Sequence, residues 1–292
     1  MNPFDLPGPE FLVFYFILSV LIIAAVVLLR RASESASAPK MDLADPYLIA
    51  YLRGGENEAL RVALVSLIDR GLLIVNGTQI GRANTAGPDS VRKPIEKGLM
   101  AKYGRPGEAI EIFSDPALKM VCEEYQHELK RDGLLPDEAV ARARLLRFMV
   151  ACFILGGVGI IKLLVALERG RTNVGFLIVL MIIALVIAAK VSFPRLTISG
   201  RAMLADVQTL YSGLKDRAAF IRPGGATIEP MMLAAAFGVG ALAGDAFGYT
   251  KTLFPRAQSS ALGSSCGSSC GSSCGSSCGG GGCGGGCGGC GG

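Results

Sequence analysis

Phe11–Leu29 reads "FLVFYFILSVLIIAAVVLL", nineteen residues without a charge. The hydrocarbon core of a bilayer is ~30 Å thick, and ~20 helical residues cross it. A backbone in that setting satisfies its own hydrogen bonds only as a helix or a closed barrel. The stretch predicts a membrane-spanning helix over 11–29, and this decides how the rest of the chain is read. Two more apolar runs follow. One covers 148–167, interrupted by Lys162 alone, and the other, "VGFLIVLMIIALVIAA", covers 174–189. Only "ERGRTN" separates them, which fits a helical hairpin. Half the chain is apolar (51%) and only 18% is charged. The apolar residues are bunched and not spread at a helix or strand period, which argues against two soluble domains.

Basic residues set the orientation. Arg30 and Arg31 follow the first run, Arg142, Arg144 and Arg147 precede the second, and Lys190, Arg195 and Arg201 follow the third. All three clusters lie on the inner side if the N-terminus is outside. The segments 30–147 and 190 onward then face the cytoplasm. A cleaved signal ending at "ASA" (Ala36–Ala38) is the rival reading. The first run is long for a signal and has no basic residue before it, which weighs against cleavage.

After a polar linker (30–40), residues 41–147 predict a compact cytoplasmic domain. "DPYLIAYLRGG" (45–55) opens with an Asp cap and a Pro at the first helical position, and stops at Gly54-Gly55. "ENEALRVALVSLIDRG" (56–71) carries Leu60, Leu64, Leu67 and Ile68 on one face. "LLIVNGTQIG" (72–81) is a hairpin with Asn76-Gly77 as the expected turn. Helix, turn, helix, hairpin is the order of a winged helix. From Pro88 to Leu135 two more helices are expected, the second capped by Ser114 or Asp115 and stopped by Gly133. The fold class expected is mostly α: three spans, a winged-helix-like domain with a small hairpin, and a disordered C-terminal tail.

Charge argues against nucleic acid as partner. From Lys40 to Leu146 there are 15 Lys and Arg against 16 Asp and Glu. Phosphate neutralisation needs a clearly basic face. A protein contact through 41–147 and membrane lipid around the spans are the expected partners. No enzyme is expected. The single histidine, His127, lies among charged residues on a helix, and no phosphate-binding glycine loop is present. Gly156–Gly159 lies inside a span, where small residues serve close helix packing. Cys122 and Cys152 read as apolar packing, Lys162 as a snorkelling cation.

Beyond the third span, 195–222 predicts one amphipathic helix ending at Pro223-Gly224-Gly225. The segment 226–254 holds an uncharged stretch, Pro230–Gly244, too short to span; an interfacial or buried helix is expected. The tail, 258–292, is Gly, Ser and Cys with almost nothing else and cannot bury a core. It carries seven of the nine cysteines: Cys266, Cys270, Cys274, Cys278, Cys283, Cys287 and Cys290. Three readings stay open for it. Thiolates gather soft metals such as copper or zinc. Regularly spaced identical residues suit a modifying enzyme. Glycine and serine alone make a spacer. A disulfide framework is disfavoured, because seven is odd and there is no core to staple.

"DPYLIAYLRGG", "ALVSLIDRGLL" (63–73), "GRTNVGFLIVL" (170–180) and the Gly/Cys-rich end together resemble a family of bacterial membrane proteins of uncharacterised role. That family pairs this Asp-Pro-Tyr, Leu-Arg-Gly-Gly signature with such a tail. The resemblance implies a bacterial inner-membrane location and supplies no catalytic residue or substrate.

Overall fold

The computed structural model describes residues 8–34, 44–83, 91–168, 175–218, 228–242 and 247–255. In chain order the elements begin with α1 (Gly8–Glu34), α2 (Pro46–Gly54), α3 (Glu56–Asp69), β1 (Leu73–Asn76), β2 (Gln79–Arg82), α4 (Pro94–Lys102) and β3 (Gly107–Glu108). Next come α5 (Pro116–Arg131), α6 (Glu138–Glu168), α7 (Gly175–Ser192), α8 (Ile198–Leu210), α9 (Ser212–Asp216), α10 (Glu229–Phe237) and α11 (Tyr249–Leu253). The chain is mostly helical, with one three-stranded antiparallel sheet in the order β1-β2-β3.

Helices α1, α6 and α7 are each long and apolar enough to cross a membrane. They pack on one another around Phe11, Tyr15, Leu155, Leu177 and Ala184. Gly159 lets them close: a Cβ there would stand 2.8 Å from Met181 Sδ. Gly156 and Gly157 meet nothing, so only the last glycine of that stretch is required by packing. The Tyr15 hydroxyl donates to the Leu155 carbonyl at 3.0 Å, bridging α1 and α6. Lys162 departs from expectation. Its side chain is buried, with Nζ 4.6 Å from the centre of the Phe11 ring, a cation–π contact in place of free extension.

The second body is built around α2. Tyr47 to Leu52 are all buried, because α2 is apolar around its whole circumference and neighbours cover every side. One of those neighbours is α10. Its Pro230–Ala236 are buried against α2 and α3, so the short apolar helix is a core helix and not an interfacial one. Alanine at three successive positions allows that close approach.

Local punctuation places the turns. Asp45 accepts from the Tyr47 amide, Asp115 from the Ala117 amide, and each is followed by Pro at the helix start. The hairpin turn is Gly77-Thr78, one residue later than expected. Asn76 pairs with Gln79 and stays in the ladder, and Gly77 takes the positive φ of +65°. Strand β3 adds to the hairpin through Gln79 and Ile80, in a region expected to be helical and turn only. The expected single helix over 195–222 breaks at Tyr211 into α8 and α9.

One close approach locks the two bodies together where α7 hands over to α8. Thr197 caps α8 by accepting from the Gly200 amide, and its hydroxyl donates to the Gly133 carbonyl at 2.7 Å. The Thr197 amide donates to the Leu134 carbonyl. A Cβ on Gly200 would sit 2.1 Å from that same carbonyl oxygen. Gly200→Ala is therefore expected to lower stability by about 1–3 kcal/mol, the usual cost of forced overpacking. Gly213→Ala, where a Cβ meets nothing, should leave the thermal midpoint in place. Circular dichroism melts of the two detergent-solubilised variants make the comparison.

Candidate functional site

The seven tail cysteines, Cys266, Cys270, Cys274, Cys278, Cys283, Cys287 and Cys290, lie outside the described residues. Among the described residues no group of three His, Cys, Asp or Glu side chains could hold a metal ion. His127 stands exposed on α5. What the folded part offers is a pair of charged junctions that hold its two bodies in register.

The first junction joins the ends of the three long helices. Glu34 closes α1 and Arg144 lies in the first turns of α6; both are almost completely buried. They meet in a bidentate pair, Arg144 Nε to Glu34 Oε1 at 2.7 Å and Nη2 to Oε2 at 2.8 Å. The fork geometry of a guanidinium matches a carboxylate in this way, and lysine would not reproduce it. Arg144 Nη1 also donates to the Pro194 carbonyl at 2.7 Å, just past the end of α7. Arg30 donates to Glu34 at 3.2 Å and to the Val191 carbonyl at 3.1 Å. Two cations thus address the carbonyls at and beyond the C-terminal end of α7, where helix polarity favours positive charge. The Ser199 hydroxyl donates to the Glu34 carbonyl, extending the junction to α8.

The second junction is the "DPYLIAYLRGG" segment, and the structure shows what its residue types do. Asp45 caps α2 and pairs with Lys93 at 2.5 Å. The Tyr47 hydroxyl donates to Glu96 at 2.6 Å, beside Ser66, and Arg70 approaches the same carboxylate at 2.9 Å. Burial, then the Glu96 charge, pushes the Tyr47 phenol well above its ordinary range, so it acts only as a donor. Arg53 binds the Ala235 carbonyl at 2.9 Å and pairs with Glu58, tying α10 to α2. Gly55 has φ +84°, and a Cβ there would press on Arg195, which donates to the Tyr51 and Leu52 carbonyls at the end of α2. Burial lowers the Arg195 pKa, and those carbonyls compensate for lost water. The signature is a clamp: one helix end takes an arginine from the segment after α7 and sends one to α10.

Sequence reading counted Arg30, Arg144 and Arg195 only as basic flanks and passed over Glu34. The available signal was the carboxylate itself, the one acid in "RRASESAS", directly after the Arg30-Arg31 pair that ends the apolar run. Its partner lies 110 residues away, which no local pattern reveals.

Two predictions follow from these environments. Glu34→Gln leaves the buried guanidinium of Arg144 and the partly buried one of Arg30 without their counter-charge. It should cost about 3–5 kcal/mol, as one-sided removal from a buried pair does. Glu138→Gln, from an exposed i,i+4 pair, should leave the unfolding midpoint unchanged. Cys122 is buried on α5, and burial with the Glu56 charge behind it pushes its thiol up to about 12. Reactivity follows the thiolate, so alkylation of Cys122 near neutral pH should be at least about a hundredfold slower than that of a free thiol. Urea should abolish that protection; peptide mapping after brief iodoacetamide treatment reads both states. No family model, no curated protein and no solved structure matches this chain, so its functional reading rests on its own residues.

Proposed function

We propose that this chain is a membrane scaffold, not an enzyme, that carries its thiol-rich tail beside a folded cytoplasmic domain as a substrate for modification. In this reading α1, α6 and α7 span the inner membrane of a bacterium with the N-terminus outside. The bacterial location rests on the resemblance given above. The spans are supported by the outward face of the three-helix bundle, where Phe16, Leu21, Leu28, Phe153, Ile160, Phe176 and Val179 are exposed. Water tolerates few contiguous apolar patches of that extent, whereas lipid favours them. The orientation is supported by the basic residues Arg30, Arg31, Arg144, Arg147 and Lys190, all at one end of the bundle.

The observation that carries the reading is the burial of the last described segments. Helix α10, Phe247, Leu253 and Phe254 belong to the same core as α2–α5. Phe254 packs on Phe113, and Arg61 lies over both rings, 5.1 and 5.6 Å from their centres. The chain therefore leaves the folded domain at Pro255, on the domain's own side. Residues 256–292 contain no apolar run that could take them across a bilayer. The tail thiols then face a reducing compartment, where they stay available to an enzyme or a soft metal and do not become structural disulfides.

Helix, helix and hairpin (α2, α3, β1, β2) support a winged-helix-like description of the domain, and its role here is protein contact through 41–147. Nucleic acid is disfavoured further by the fate of the arginines on the second helix. Arg61 is stacked on two rings and paired with Glu58, and Arg70 is engaged by Glu96, so neither is left to neutralise phosphates.

Impermeant maleimide applied to intact cells should leave the tail cysteines unlabelled, and permeabilised cells should label them. Labelling of intact cells would put the tail outside and end this reading. Mass spectrometry of the natively isolated tail then reads its chemistry. Mass additions on the cysteines are expected; unmodified thiols with stoichiometric copper or zinc would replace the substrate role with metal binding.

A further inference from the structure

The chain's positive charge is gathered in one place. Residues 30–34, 137–147 and 190–201 hold eight Lys and Arg against three Asp and Glu. That surplus of five equals the net charge of the whole chain, +5, so the remainder sums to zero. The three stretches meet at one end of the bundle. Arg30 donates to the Val191 carbonyl, Arg144 to Glu34 and the Pro194 carbonyl, and the Ser199 hydroxyl to the Glu34 carbonyl. Glu34 is used up inside, by Arg30 and Arg144. Other cations face outward: Arg31 of α1, Arg142 of α6, Lys190 of α7 and Arg201 of α8 are all exposed. The side chains of Lys190 and Arg201 make no hydrogen bond or ion pair among the described residues. Apolar groups stand among them. Leu145, Leu146 and Met149 are exposed on the first turns of α6, and Phe193, 48% exposed, lies edge-on to Phe148 with ring centres 5.2 Å apart.

We propose that this collar docks on the headgroups of anionic phospholipids in the leaflet on the domain's side. It rests on the membrane arrangement proposed above. The contact is spread over four helices and needs no pocket, because its cations are already at the surface. Each basic residue held beside an anionic leaflet adds attraction that fades within a Debye length. The remainder of the chain is neutral in sum, so the collar decides the preference. An acidic protein would also answer the charge. It would not answer the leucines, the methionine and the phenylalanine interleaved with it. A leaflet meets both at one depth, with acyl chains against the apolar groups and headgroups against the cations, whose stems lie along the apolar surface.

The chain has no tryptophan, so Phe193→Trp places a single fluorophore in the collar. The full chain with this substitution is reconstituted in phosphatidylcholine vesicles. They contain brominated phosphatidylglycerol or, in parallel, the same fraction of brominated phosphatidylcholine, and bromine quenches an indole it touches. Phosphatidylglycerol should be preferred about fivefold at low salt, the scale of one basic residue at an anionic surface. The preference should shrink towards one in about 1 M salt, where the Debye length is about 3 Å. Lys190→Gln and Arg201→Gln, both at exposed positions, should each lower it about twofold, and together further. Lys97→Gln should leave it unchanged. Lys97 is exposed on α4, which meets α2 at Asp45, the end away from Arg195. Equal quenching by the two lipids, a preference that high salt leaves intact, or one that the Lys190 and Arg201 substitutions leave intact would overturn the collar while keeping the bundle in lipid. Quenching by neither lipid would end the spans as well.

Discussion

The bidentate pair between Glu34 and Arg144 is the constraint on which the architecture depends. Apolar helices packed side by side have many nearly equal registers, because most of their contacts are between interchangeable aliphatic groups. One buried carboxylate with two guanidinium partners engages both of its oxygens in one specific arrangement. It fixes the end of α1 against the start of α6, and through the carbonyls of Val191 and Pro194 it fixes the end of α7. Desolvating such a pair costs about as much as its attraction returns, so it adds little net stability over an apolar replacement. What it contributes is position. Close packing of Gly159 against Met181 and the Tyr15–Leu155 bond then complete a bundle whose register is already set.

That register is transmitted to the folded domain over a few residues. Pro194 and Leu196 accept from Arg144, Arg195 caps α2, and Thr197 and Gly200 close on the loop after α5. Every residue from 194 to 197 therefore has a partner outside its own segment. The domain is consequently discontinuous: 44–135 supplies most of its core, and α8, α10 and α11 return to it after the bundle. Helix α2 cannot be covered on all sides until α10 arrives, so the residues before the bundle and those after it fold as one unit. The Arg53–Ala235 bond and the Gly238 turn pressed against Arg53 are the seam of that unit.

Local chemistry was legible in the sequence; distant partnership was not. The three long helices follow from uninterrupted apolar length. The starts at Asp45-Pro46 and Asp115-Pro116, and the turns at Gly71 and Gly133, both at positive φ, follow from backbone preferences that act within a few residues. The shift of the hairpin turn to Gly77-Thr78 is the limit of that logic, since either Asn76 or Gly77 can supply a positive φ and pairing across the strands decides. Strand β3 escaped because two residues carry no period. The junction escaped for a different reason. Its charges look like membrane flanks until the fold brings 34, 144 and 195 together, so one acid among bases was the only trace.

The short apolar helix α10 shows how physical size decides topology. Fifteen uncharged residues starting at Pro230 are too few for a bilayer and too apolar for a surface. The remaining place is an interior, and α2, apolar all round, needs a cover. Burying α10 satisfies both demands, and it also fixes the parity of the membrane crossings. If the three long helices cross a bilayer as proposed, residues 8 and 255 lie on opposite faces of it; a fourth crossing would put them on the same face. In the proposed arrangement, the side of the membrane that the tail meets follows from a packing choice made inside the domain, well before the first of those cysteines in the chain.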